Sequence, residues 1–178
     1  MEERFRVVVR GVSPLLMHRM SNEPNTKSKK SGATYDNDKL AEEALYKDDK
    51  GKVCQPALHF ESAMIKSATN YRIPGQGKKT FKDAFKGGIF VEPSMIKHKF
   101  PKWEVDLQSV VIQRARIIRA RPRFDKWELE FTILCIDERI TEQTIKDVLS
   151  DVGKFAGIGD FRPRFGRFEV IKFEKLTS

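Results

Sequence analysis

An α+β fold with antiparallel strands is the architecture this sequence predicts, on three observations. The N-terminus opens with a short alternating run, FRVVVRG at 5–11. Two stretches, 57–71 and 141–152, repeat apolar residues at helical spacing. Two further alternating runs, 127–136 and 167–174, precede and follow the second of those helices. With 178 residues, 39% of them hydrophobic, the chain has the material for a single domain with one core.

In the first run Phe5, Val7 and Val9 share one side, and Arg4, Arg6, Val8 and Arg10 the other. That is a strand with one buried and one basic face. Gly11 and Pro14 end it. Residues 21–39 carry almost no large apolar groups and cannot offset the entropy of their own ordering. They belong to an insertion over 20–55 that also holds a short helix near 39–46 and a short hairpin around DDKGK. The next helix places Ala57, Phe60, Met64, Ala68 and Tyr71 on one stripe, with Pro56 suited to its first turn.

Residues 72–106 read as a second insertion, glycine- and lysine-rich at RIPGQGKKTFKDAFKGG, with a short strand at IFVEP. SVVIQRARIIRA at 109–120 is β-branched and laden with arginine, and RPRFD reads as a turn. WELEFTILCI sets Trp127, Leu129, Phe131 and Ile133 against Glu128, Glu130 and Thr132. These two runs are expected to pair as a β-hairpin with a longer loop. In TEQTIKDVLSDV, Thr141 is an N-cap, Glu142 suits the positive helix start, and Ile145, Val148, Leu149 and Val152 form the buried stripe. Gly153 is expected to end this helix, and RFEVIKFE closes the fold as a strand. Without the insertions the order is strand, helix, strand, strand, helix, strand. This is the ferredoxin-like βαββαβ plan of RNA-recognition modules, with both helices on one face of the sheet and the other face open.

The formal net charge of +9 points to a polyanionic partner. Cys54 and Cys135 are far apart and lack zinc or disulfide spacing, so they read as small buried hydrophobes. No phosphate-loop motif occurs, and the carboxylate pairs Asp36/Asp38 and Asp48/Asp49 read as solvated turns. Neither a metal nor a cofactor is expected. The N-terminus lacks the apolar run of a signal peptide and no run is long enough to span a membrane, so the expectation is a cytoplasmic protein with no membrane partner.

Cationic residues collect at four places. Arg6 and Arg10 lie on the outward side of the first strand, and the alternative to a basic ligand face is a charged solvent face on which Glu128 and Glu130 pair some arginines across strands. Arg114 and Arg116 share one face of the arginine-laden run, with Arg119, Arg121 and Arg123 at the opposite parity. GQGKK offers Lys78 and Lys79 from a loop. The fourth place is the least ordinary stretch of the chain, GIGDFRPRFGRFEV at 157–170, which precedes the last strand. Its glycines allow close approach of backbone and exposed N–H groups. Arg162, Arg164 and Arg167 can fork onto phosphates, and Phe161 and Phe165 are candidates to stack on bases.

The segments RVVVRGVSPLLMHRM, QPALHFESAMIKSA and GIGDFRPRFGRFEV, in this order, resemble the RAMP superfamily of CRISPR proteins, and most of all its guide-RNA backbone subunits. The resemblance implies a single RAMP-like domain over 1–178 with a thumb-like insertion after the first strand. It also implies binding of single-stranded nucleic acid, guide RNA or single-stranded DNA, by a homo-oligomer or a subunit of a ribonucleoprotein complex. A bacteriophage or mobile-element single-strand binder on the same fold fits as well. By position, Arg162, Arg164 and Arg167 would hold phosphates, and Arg10, His18 and Arg19 would flank the strand. The reading is a binding protein with weak sequence preference, not an enzyme. One alternative is a metal-independent endoribonuclease of RAMP type using His18, assisted by Tyr35 or Tyr71. A second alternative is a basic assembly protein.

Overall fold

The computed structural model describes residues 2–20, 36–112 and 115–177. In chain order its elements are β1 (Glu3–Gly11), β2 (Leu15–Leu16), α1 (Asn37–Glu43), β3 (Cys54–Pro56), α2 (Ala57–Ser67) and α3 (Lys82–Gly88). There follow β4 (Ile89–Glu92), β5 (Met95–Lys97), β6 (Glu104–Ile112), β7 (Ala115–Phe124), β8 (Glu128–Cys135), α4 (Glu142–Asp151) and β9 (Phe168–Leu176). The protein is a mixed helix-and-sheet molecule, and its described strands pair antiparallel.

The main sheet has the order β4-β8-β1-β9. Side chains alternate along a strand, so one side of each carries the apolar set. Val7 lies opposite Phe131 on β8 and Phe173 on β9, which brings the apolar sides into one layer. Helices α2 and α4 cover that layer and touch one another. Phe60 of α2 is fully buried, with its ring 4.5 Å from that of Phe131 and 5.7 Å from that of Phe168. Thr141 caps α4, its hydroxyl accepting from the Thr144 N–H at 3.2 Å.

A second sheet, β2-β7-β6, stands beside the first, with α1 packed against β7. Short β3 and β5 pair separately. Residues 21–35, which include most of the polar excursion and Tyr35, lie outside the described residues, as does Arg114.

Several expectations are corrected here. The arginine-laden run does not pair with 127–136: it is split between β6 and β7, which form their own hairpin. The reversal is hidden because β-branched residues continue on both sides of it. Strand β8 pairs instead with β1 and β4, where Leu129, Phe131 and Ile133 are buried. RPRFD is largely strand, with Pro122, Arg123 and Phe124 inside β7. The stretch 72–106 is not all insertion, because it contributes β4 to the main sheet and the unforeseen α3. Gly153 does not stop the last helix. The helix widens into a π turn over Val152–Ala156 and stops at Gly157. A Cβ on Gly153 would lie 2.3 Å from the Phe168 carbonyl oxygen, so glycine here permits helix and strand to touch.

Candidate nucleic-acid interface

The loop after the π turn is fastened to the chain leaving β1. Ile158 N–H donates to the Gly166 carbonyl at 2.9 Å, Gly166 N–H to Pro14 at 2.7 Å, and Asp160 N–H to Leu16 at 2.8 Å. Arg167 N–H donates to the Ser13 hydroxyl at 3.0 Å, and the Val12 N–H returns to the Arg167 carbonyl at 2.9 Å. Gly166 has φ +78°, and a Cβ there would sit 1.7 Å from the Ile158 carbonyl oxygen. The glycines therefore serve closeness within the protein. Most of the loop's N–H groups are engaged internally, contrary to the expectation that they face a ligand.

The loop's arginine side chains point outward. Arg162, Arg164 and Arg167 are exposed, and among the described residues no carboxylate pairs with them. Phe161, held at φ +56°, is 39% exposed. Phe165 is buried and packs edge-on against Phe161 with centroids 6.0 Å apart, so it props the exposed ring instead of presenting its own. The π turn adds two residues that the sequence did not reveal. Phe155 is 72% exposed, and Lys154 beside it is exposed too. A groove of about 820 Å³ is lined by Pro14, Arg123, Lys154, Phe155, Pro163, Arg164, Phe165 and Arg167, with no acidic residue among them. On the other side of Phe155 a second groove of about 790 Å³ runs along Lys66, Ser67, Asp151, Asp160, Phe161 and Arg162.

The open face of the main sheet differs. Arg4 meets Glu92 at 2.7 Å, Arg6 meets Glu130 at 2.6 Å and Arg10 meets Glu128 at 3.2 Å. Lys99 also pairs with Glu128, and Lys175 with Glu3. Arg6 and Arg10, expected on a basic face, are each bridged to a glutamate of the neighbouring strand, as in the alternative of a charged solvent face. Their cross-strand glutamates occupy the outward positions of β8, which balances the charge.

His18 and Arg19 follow β2. His18 is half-buried and its Nε2 accepts from Arg119 Nη1 at 2.9 Å. Burial holds its pKa below the ordinary value, aided by Arg119 and Arg121 and opposed by Asp160. Arg121 is 5% exposed and donates from Nε to Asp160 at 2.5 Å, with its guanidinium carbon 5.9 Å from the centre of the Phe161 ring. Arg19 is exposed, and its charge reaches Tyr46, as does that of Asp160. His59 also turns toward this region. Gln55 Nε2 lies 2.5 Å from its Nδ1, Tyr46 packs edge-on at 5.3 Å, and burial, then the charge of Arg162, lowers its pKa.

Tyr71 donates its hydroxyl to Asp151 at 2.5 Å, so it is engaged away from His18. Lys78 and Lys79 are exposed on the loop closed by the Arg72–Thr80 bridge, which follows the second groove's lining at the end of α2. Arg116 lies in β7 opposite Val111. The structure gathers the loop arginines that the sequence singled out, and sets beside them Phe155 and Lys154, which it did not single out. No protein-family model matches the chain, and no curated protein sequence matches it.

Proposed function

We propose that this chain binds single-stranded nucleic acid, holding the phosphate backbone along the 157–167 loop with weak sequence preference. One observation carries the reading: the arginines of the open sheet face have carboxylate partners, whereas Arg162, Arg164 and Arg167 have none and surround the exposed Phe155. Unpaired guanidinium groups fork onto phosphate oxygens. An exposed ring among them offers a base a stacking surface worth about 1–3 kcal/mol. The bound strand in this reading follows the two grooves beside Phe155, and does not cross the charge-balanced sheet.

The order β4-β8-β1-β9, with helices on one side, supports the ferredoxin-like plan. The second sheet beside β1 and the loop tied to the β1 exit are in keeping with a RAMP-like subunit assembling along a strand in a ribonucleoprotein complex. Binding is favoured over the ribonuclease alternative. His18 Nε2 is occupied by Arg119 and its Nδ1 is buried, so neither nitrogen faces an open groove.

The test is affinity for single-stranded RNA, single-stranded DNA and duplex across a salt series. Each phosphate contact to a single strand contributes about 0.7 to the slope of log affinity against log salt. Replacing Arg162, Arg164 and Arg167 with alanine is expected to weaken binding and lower that slope by about 2. An unaltered slope removes the loop from the interface. Absence of any strand binding at low salt shifts the reading to a basic assembly protein.

A further inference from the structure

Against one side of β7 the structure leaves two buried hydrogen-bond donors without acceptors. Arg121 Nη1 is one: the side chain is 6% exposed, its Nε is bound to Asp160, and Nη1 has no partner. The other is His18 Nδ1. Because Arg119 donates to Nε2, the neutral ring carries its proton on Nδ1, and that atom is buried and unpartnered. Arg119 and Arg121 are alternate residues of β7 and so lie on one side of it, facing His18. A buried donor left unmet forfeits its hydration with nothing in return, so a missing acceptor is the economical explanation.

We propose that Arg121 and His18 form a buried seat for one phosphate group, separate from the surface arginines of the loop. Charge selects the acceptor. Two guanidinium groups, Arg119 and Arg121, meet one carboxylate at the seat, Asp160, while Asp106, opposite Arg121 on β6, is engaged by Gln108 and Arg123, which leaves the seat positive. A phosphate oxygen satisfies both donors and the surplus charge, whereas a water molecule satisfies only the donors. The way in is also defined. Asp160 and Phe161 line the second groove, and the Phe161 ring covers the Arg121 guanidinium, so a turn of that side chain opens the seat to the groove. The free-phosphate part of this proposal stands alone, while delivery of the phosphate by a bound strand rests on the function proposed above.

The experiment reads the ring nitrogens of His18 by NMR at neutral pH. Inorganic phosphate is titrated against chloride at matched ionic strength, followed by an oligonucleotide with a 5′-phosphate and its 5′-hydroxyl twin. A saturable shift of His18 Nδ1 with phosphate and not chloride is expected. It should vanish when Arg121→Met is combined with Asp160→Asn, a pair that leaves no lone buried charge. Equal shifts from the two oligonucleotides assign the seat to an internal phosphodiester, and a shift from the phosphorylated strand alone assigns it to a terminal phosphate. A His18 Nδ1 signal unmoved by phosphate and by both strands overturns the seat and leaves a buried water there. Strand binding without movement of His18 removes the seat and spares the surface interface. Movement of His18 by phosphate with no strand binding does the reverse.

Discussion

His98 shows how much one residue can depend on its surroundings. In IKHKFPKW it reads as a surface loop residue, yet it is 8% exposed, stacked on Phe124 with centroids 4.8 Å apart, and neither ring nitrogen has a partner. Burial pushes its pKa down to about 4. The folded form therefore resists a proton that the unfolded chain accepts near pH 6.5. Stability from this site is full above that pH and falls as pH drops toward 4, by about 3 kcal/mol in total. Urea denaturation between pH 7 and 4 checks it. His98→Leu should flatten the dependence, and an equal slope in both proteins would remove His98 as its source. The sequence could not reveal this burial, because two lysines flank the residue. It did reveal Arg162, Arg164 and Arg167, because a cationic run between glycines has no apolar period to bury it.

At the scale of elements, α2, α4, β1, β8 and β9 were legible because each carries a clean period of 3.6 or 2. The β6–β7 reversal was not, since β-branched residues lie on both sides of it and no glycine, proline or asparagine marks it. The π turn after α4 was also hidden, because its wider winding leaves no mark in the helical period. That turn is what exposes Lys154 and Phe155, the part of the candidate site that sequence reasoning missed. It also reverses an ordinary rule. Alanine normally stabilises a helix over glycine by about 1 kcal/mol. Gly153→Ala should instead destabilise the protein by about 1–3 kcal/mol, since its methyl meets the Phe168 carbonyl oxygen and ring. Chemical denaturation measures the difference, and a stabilised variant would refute the tight contact between α4 and β9.

For the whole molecule, a net charge of +9 was legible but its distribution was not. Strand parity correctly set Arg6 and Arg10 on the outward side. It allowed Glu128 and Glu130 to pair arginines across strands but could not show which ones, because that depends on β8 being the neighbour of β1. Under the proposed function, Arg6→Ala and Arg10→Ala should leave strand affinity and its salt slope unchanged. A loss matching that of the loop variants would return the interface to the sheet face.

The fastening of the 157–167 loop to residues 12–16 has a consequence for how such a grip would behave. With most of its amides engaged inward, the loop would offer a strand no rigid cradle of fixed spacing. It offers long guanidinium arms that adjust to wherever the next phosphate falls. Under the proposed function, a strand held in that manner would exchange one phosphate contact at a time, and its sugar type would matter little to the hold.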